Sequence, residues 1–318
     1  MHDEQKKLMH DIHQLPCFKQ QAIEVSPIAF GLSHFCFHVI QSPAKNPSQI
    51  AVPEGYHQHY FVKYLVKDTA EASSESVVAE LAADFGIAPK VFYRSDTWLV
   101  TEFIDGRLLS QIPLFGNEKV QIAIQCVNQC HQLKPANDVP SLSISAIVSR
   151  QLEQVLKIKN TPNQTLEKDL TLLCQQVVSF NEVGEKVLCH GDVNFSNILI
   201  DEQQKPWLID FECAFIGYRE FDLAMLMAIN QLPLDSLNYL IKQYQDESSK
   251  TLDTSLVKRY LACCYVINGL WFFHHASTTS ATSITSSSEH YLELAQQQCQ
   301  LFDRLKSLPI GLSALLFD

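Results

Sequence analysis

The stretch from Val187 to Glu212, VLCHGDVNFSNILIDEQQKPWLIDFE, constrains this chain more than any other. Two apolar runs, Asn197 to Asp201 and Pro206 to Asp210, flank a polar tip at Gln203 and Gln204, which is the pattern of a β-hairpin. With the tip midway, Asn197 and Asp210 fall opposite each other at the open end, where an amide oxygen and a carboxylate can share one hard cation. Asp192 lies in the preceding loop, five residues before Asn197. One proton acceptor and two metal ligands are the parts that phosphoryl transfer needs. The alternative is a plain hairpin with loop carboxylates, and the spacing joined to the N-terminal signals below argues against it.

A chain of 318 residues suits two lobes of unequal size, and its 46% hydrophobic content is ample for a core. The formal net charge of -11 argues against nucleic acid as a partner and suits a cationic small molecule. Several of the ten cysteines sit in apolar runs (Cys36, Cys189, Cys213, Cys263, Cys264) and read as buried thiols of a reducing compartment. Met1 to Gln21 is charged and lacks a secretory core, and the apolar run Leu261 to Phe273 is too short to span a bilayer. The expectation is a cytoplasmic protein with no membrane partner.

In the N-terminal part, Ile28 to Ile40 reads as a turn at Gly31 followed by an alternating strand. Gly31 lets a backbone turn approach phosphates, although a single glycine also suits an ordinary β-turn. Ser42 to Gln58 is Pro-rich and without period. His59 to Lys67 alternates, with Phe61, Lys63 and Leu65 on one side and Tyr60, Val62, Tyr64 and Val66 on the other. A lysine on an apolar face needs a partner, so Lys63 is either a phosphate contact or a snorkelling residue at the sheet rim. Ser74 to Phe85 carries a helical stripe, with Glu75 placed to favour the helix dipole.

Farther on, Val120 to Leu133, Ile144 to Leu156 and Leu166 to Phe180 read as core helices, with His131 structural. Asp222 precedes an apolar helix and reads as its N-cap. Two last helices, Leu261 to His275 and Glu289 to Leu305, flank a Ser/Thr-rich loop from Ala276 to Ser288. Tyr265, Trp271, Phe272 and Tyr291 are either helix core or an aromatic cage for a cationic headgroup.

The run His190-Gly191-Asp192, four residues, Asn197, then Ile209-Asp210-Phe211-Glu212 resembles the catalytic core of the aminoglycoside phosphotransferase and choline kinase superfamily, small-molecule relatives of the protein kinases. Around it, Gly31-Leu32-Ser33-His34 is similar to the family's nucleotide loop, with His34 where Asn is usual, and Gly86 to Val91 resembles a G-x-A-P-x-V turn. The resemblance implies an α+β, protein-kinase-like bilobal fold. Residues 1–104 would form a small antiparallel nucleotide-binding lobe with one helix, residues 105–318 a larger helical catalytic and substrate-binding lobe, with nucleotide in the cleft between them. It implies ATP and Mg²⁺, Asp192 as catalytic base, Asn197 and Asp210 as metal ligands, and Lys63 on the ATP phosphates. Glu80 would pair with Lys63, and adenine would meet the backbone near Glu102 and Ile104. Asp222 would brace the catalytic loop.

Asp210-Phe211-Glu212 together with Tyr218 to Asp222, and Gly269-Leu270-Trp271 farther on, look closer to choline and ethanolamine kinases than to aminoglycoside enzymes. Glu212, Tyr265, Trp271 and Tyr291 would then contact the substrate. Two departures are His190-Gly191 for His-Asn, and Asn194-Phe195-Ser196 for a stretch that often carries Gly. The implied acceptor is a hydroxyl of a small amino or ammonium alcohol, choline or ethanolamine first, then thiamine, then an aminoglycoside. A nucleotide-binding pseudokinase is the alternative of another class. The missing A-P-E element argues against a protein acceptor.

Overall fold

Strands of alternating apolar residues in the first third of the chain assemble one antiparallel sheet, and longer helical stripes make up most of the remainder. The computed structural model describes residues 3–28, 35–42, 57–65, 72–135, 137–159, 164–278, 288–306 and 311–317. In chain order the elements are α1 (Asp3–Ile12), β1 (Ile23–Ile28), β2 (Phe35–Gln41), β3 (Gln58–Tyr64), α2 (Ala72–Asp84), β4 (Val91–Arg94), β5 (Trp98–Glu102) and β6 (Gly106–Leu108). Next come α3 (Gly116–Cys130), α4 (Ile144–Lys159), α5 (Gln164–Val177), β7 (Lys186–Cys189), β8 (Ile198–Asp201), β9 (Pro206–Leu208) and β10 (Phe215–Tyr218). The chain ends with α6 (Arg219–Ile229), α7 (Leu237–Ser248), α8 (Thr254–Thr278), α9 (Ser288–Lys306) and α10 (Leu312–Phe317).

Two units divide the chain: Met1–Leu108 with Leu199–Glu212, and Leu109–Ile198 with Cys213–Asp318. The first unit therefore runs past Ile104, and it takes Leu199–Glu212 back from the C-terminal part. The reason lies in pairing. β8 lies antiparallel to β6, with Gly106 opposite Asp201 and Leu108 opposite Leu199.

In the first unit the sheet order is β1-β2-β3-β5-β4, antiparallel throughout. The period of two sends Phe37, Val39, Tyr60, Val62, Trp98 and Val100 to one face. That face is covered by α1 and the turn after it, through Leu8, Ile12, Leu15 and Phe18. Register puts Cys36, Lys63 and Leu99 side by side on the opposite face. The predicted alternation around Lys63 is thus the observed one. Gly31, His34 and most of the 276–288 loop lie outside the described residues.

In the second unit the long helix α8 packs against α4, α6 and α9. Its middle, Leu256 to Leu270, is buried almost without interruption except on one narrow flank, as expected of a helix surrounded by others. A two-stranded ribbon of β7 and β10 pairs Cys189 with Phe215 and Lys186 with Tyr218. It carries the loop that begins at His190. Among the described residues no helix is long and apolar enough to cross a membrane.

None of the ten cysteines is joined in a disulfide, and of the five read as buried, Cys213 is instead exposed. Burial raises the thiols of Cys36, Cys126, Cys174 and Cys263 to about 12. In the native protein a thiol reagent should therefore label Cys213 quickly and the buried cysteines only after unfolding. Rapid native labelling of several sites by mass spectrometry would contradict the packing. Phe37→Ala, which empties the centre of the sheet's covered face, should lower the unfolding free energy by about 3–5 kcal/mol in denaturant titration.

Candidate active site

Lys63 is 5% exposed, and its side chain is surrounded by carboxylates of its own unit. Its Nζ donates to Glu75 Oε1 at 2.6 Å and to Asp210 Oδ1 at 2.7 Å, and Glu212 Oε2 lies at 3.9 Å. Burial pulls the lysine down, but Asp210, Glu75 and Glu212 outweigh it and hold the ammonium above its ordinary value. Three carboxylates share this one ammonium. Burial, with Asp210 and Glu212 adding to it and Lys63 opposing, pushes Glu75 up to about 7. Its second oxygen is buried without a hydrogen-bond partner. Ligand oxygens of Glu75, Asp210 and Glu212 lie within 4.8 Å of one another, an all-oxygen set that fits a hard divalent cation.

The partner of Lys63 is therefore Glu75 and not Glu80. Burial on α2 takes in Ser74, Glu75 and Ser76 in its first turns and then Val78, Ala79 and Ala82, so that Glu75 heads the helical stripe 75, 78, 79 and 82. Glu80 falls between these positions, its side chain 45% exposed, and bonds the surface Arg94 at 2.7 Å. The acidic first-turn position that suggested a dipole role for Glu75 is real, yet the side chain is turned inward. Asp210 adopts a positive φ of 66°, which an aspartate tolerates better than a branched residue.

In the second unit, the loop after β7 is fastened from several sides. Asp222 is fully buried, and its two oxygens accept the backbone N–H groups of His190 at 2.8 Å and Gly191 at 2.9 Å. It is not the N-cap of α6; that place is Tyr218, and Asp222 sits within the first turn. The expected bracing role is the one its geometry supports. Gly191 has φ +83°, and a Cβ there would lie 2.0 Å from the Cys213 carbonyl oxygen. Asp192 N–H faces the His190 ring at 3.3 Å, and Asn197 Nδ2 donates to Asp192 Oδ2 at 2.9 Å and to its carbonyl at 3.1 Å.

Two further residues support the loop without any functional signal in the sequence. Asn230, at the end of α6, accepts from Phe195 N–H and donates to the Val193 carbonyl, both at 2.9 Å, so one amide clamps the loop at two points. His131 bonds Asp222 Oδ2 at 3.0 Å from below the loop. Neither belongs to a motif, because both act across elements far apart in the chain. Glu102 closes β5 as an exposed residue and its amide is taken by the Lys90 carbonyl; Ile104 follows it, half-buried.

The aromatic cage is only partly available. Tyr265 is fully buried and Tyr291 is 4% exposed, so both pack as core. A mid-helix position on α8, enclosed by other helices, accounts for Tyr265. Trp271 is half-buried, with the His275 ring stacked 3.7 Å from it and Tyr291 edge-on at 6.2 Å.

The glycine in the loop supplies a direct check. Gly191→Ala adds both a left-handed strain and a backbone collision, and should lower stability by roughly 2–4 kcal/mol in denaturant titration. An unchanged midpoint would mean that the loop does not hold this conformation.

Residues 55–250 match the model of the phosphotransferase enzyme family. A probable choline kinase 3 of Arabidopsis thaliana is 27% identical over 155 residues, 46% of this chain and 43% of the relative, so the match spans less than half of that protein. Among solved structures, the choline kinase of Cryptosporidium parvum superposes with a TM-score of 0.67 at 14% identity, over 95% of each chain. A spectinomycin phosphotransferase solved with ADP and spectinomycin reaches 0.56 at 13%, over 92% of this chain and 97% of the other. At such identities the likeness is one of fold, and the fold is that of the kinase-like phosphotransferases. The family match covers more than half of the sequence, and the chain belongs to the phosphotransferase enzyme family.

Proposed function

We propose that the protein is a small-molecule kinase that transfers the γ-phosphoryl group of ATP, with Mg²⁺, to the hydroxyl of a small amino alcohol. The observation that carries the reading is Asp192, held by Asn197 in a loop that Asp222 braces. Asp192 orients the acceptor hydroxyl and takes its proton as the oxygen bonds to the γ-phosphorus and the bond to the leaving ADP breaks. Asn197 commits its amide nitrogen to Asp192, which leaves the amide oxygen as its donor to a cation. Asn197 and Asp210 would hold Mg²⁺, and the ion when bound supplies positive charge against the phosphate oxygens. Lys63 holds ATP phosphates, and Glu75 keeps the ammonium in place.

The net charge of -11 and the choline kinase relatives support a cationic acceptor. Within that class the buried faces of Tyr265 and Tyr291 weigh towards ethanolamine, because a quaternary ammonium needs open aromatic faces and a primary amine hydrogen-bonds instead. Thiamine and an aminoglycoside remain to be compared, as does a pseudokinase that binds nucleotide without turnover.

The deciding assay is Mg²⁺-dependent ADP release with choline, ethanolamine, thiamine and kanamycin as acceptors. Asp192→Ala should lower kcat by about 10³-fold with ATP affinity retained. Full turnover in that variant would remove Asp192 from its role, and ATP binding with no turnover for any acceptor would favour the pseudokinase. In the same assay Glu75→Ala should lose roughly 10- to 100-fold in kcat/KM, while Glu80→Ala should stay within about twofold.

A further inference from the structure

Beneath the loop that carries Asp192, a chain of buried polar groups continues past Asp222. His131, at the C-terminal end of α3, is 3% exposed in its side chain. Its Nε2 lies 3.0 Å from Asp222 Oδ2, and its Nδ1 lies 2.7 Å from the hydroxyl of Tyr244 on α7, itself 1% exposed. The Cys189 thiol completes the surroundings of the ring on the Asp222 side. Three elements distant in sequence thus converge on one imidazole.

Each nitrogen of that ring has a single partner, and the partners demand opposite things of it. Asp222 already accepts two backbone N–H groups, and a carboxylate can only accept, so Nε2 must carry a proton to bond it. On the other side the Arg219 guanidinium lies beside the Tyr244 hydroxyl. A guanidinium can only donate, so a phenol oxygen beside it serves as acceptor there and has its own proton to offer to Nδ1. Burial pushes the Tyr244 phenol above its ordinary value, so that proton is kept. Arg219 is in turn held by Glu185, which also meets Lys250.

We infer that Tyr244 is a positioning residue that locks His131 in the neutral tautomer protonated at Nε2, and that this tautomer holds Asp222, and through it the His190–Gly191 backbone, in place for Asp192. The inference rests on the reading of Asp192 as the base. Its physical content is separate: without the Tyr244 hydroxyl, a buried Nδ1 loses its donor, and nothing then holds the ring to the one tautomer and orientation that bond Asp222.

The experiment is histidine-selective nitrogen NMR on the full-length protein, paired with kinetics. Wild-type His131, assigned by its loss in His131→Gln, should show a pyridine-type Nδ1 and a protonated Nε2. Tyr244→Phe should abolish that signature, speed exchange of the Gly191 amide and lower kcat about tenfold, with KM for both substrates within about twofold. A glutamine amide at 131 donates to Asp222 and has no tautomer to lose, so Tyr244→Phe in the His131→Gln background should cost little more. An imidazolium or an Nδ1–H tautomer in the wild type overturns the inference. So does an equal loss from Tyr244→Phe in both backgrounds, which would make the tyrosine mere packing. If Tyr244→Phe does not fold, the wild-type ring spectrum decides. The ring and amide signals need no turnover, so they test the tautomer even where the kinase reading fails.

Discussion

A fully buried carboxylate is among the most demanding groups a protein can contain, and Asp222 is the one around which the second unit is arranged. Its charge is compensated by two backbone N–H groups from a loop more than thirty residues upstream, and by an imidazole from a third element. Each of those bonds fixes something else. The amides set the path of His190 and Gly191, which forces the left-handed glycine beneath the Cys213 carbonyl. From there the chain can turn through Asp192 to the Asn194-capped turn and into β8. An apolar residue at 222 would leave the buried amides of His190 and Gly191 without acceptors.

The first unit solves a related problem with the opposite sign. Here the buried charge is an ammonium, and three carboxylates surround it, more than neutralisation requires. Such an excess of negative charge is unfavourable in a closed protein interior and is better tolerated where further positive charge is expected to enter. The raised Glu75 carboxyl reflects its burial first, with the nearby Asp210 and Glu212 charges adding to it. Both units therefore carry polar groups whose arrangement makes little sense for stability alone.

Much of this was legible in the sequence, for reasons that differ from residue to residue. The hairpin was readable because its two apolar runs and polar tip are local. Lys63 was readable because a strand has a strict period of two, which left a charge on an apolar face. Glu75 and Glu80 were not separable in the same way. The apolar stripe on α2 is bounded by residues that satisfy two helical registers, and only packing buries Glu75 with Val78, Ala79 and Ala82 while leaving Glu80 towards the surface. His131, Asn230 and Tyr244 act through single hydrogen bonds across distant elements, and no local pattern marks such partners. Cys213 was misread because it sits in an apolar run, while the backbone there turns its side chain outward. The first helix was hidden by charge, although Leu8, Ile12 and Leu15 stand at helical spacing.

That first helix alters how the chain must be handled. Leu8, Ile12, Leu15 and Phe18 are the lid over an otherwise bare apolar sheet face formed by Phe37, Val39, Tyr60, Val62, Trp98 and Val100. Trimming the charged leading segment as if it were dispensable would turn that face into a sticky surface, broad enough to drive self-association. A shortened chain would then come out of solution as aggregates even with every residue of the phosphotransfer chemistry intact.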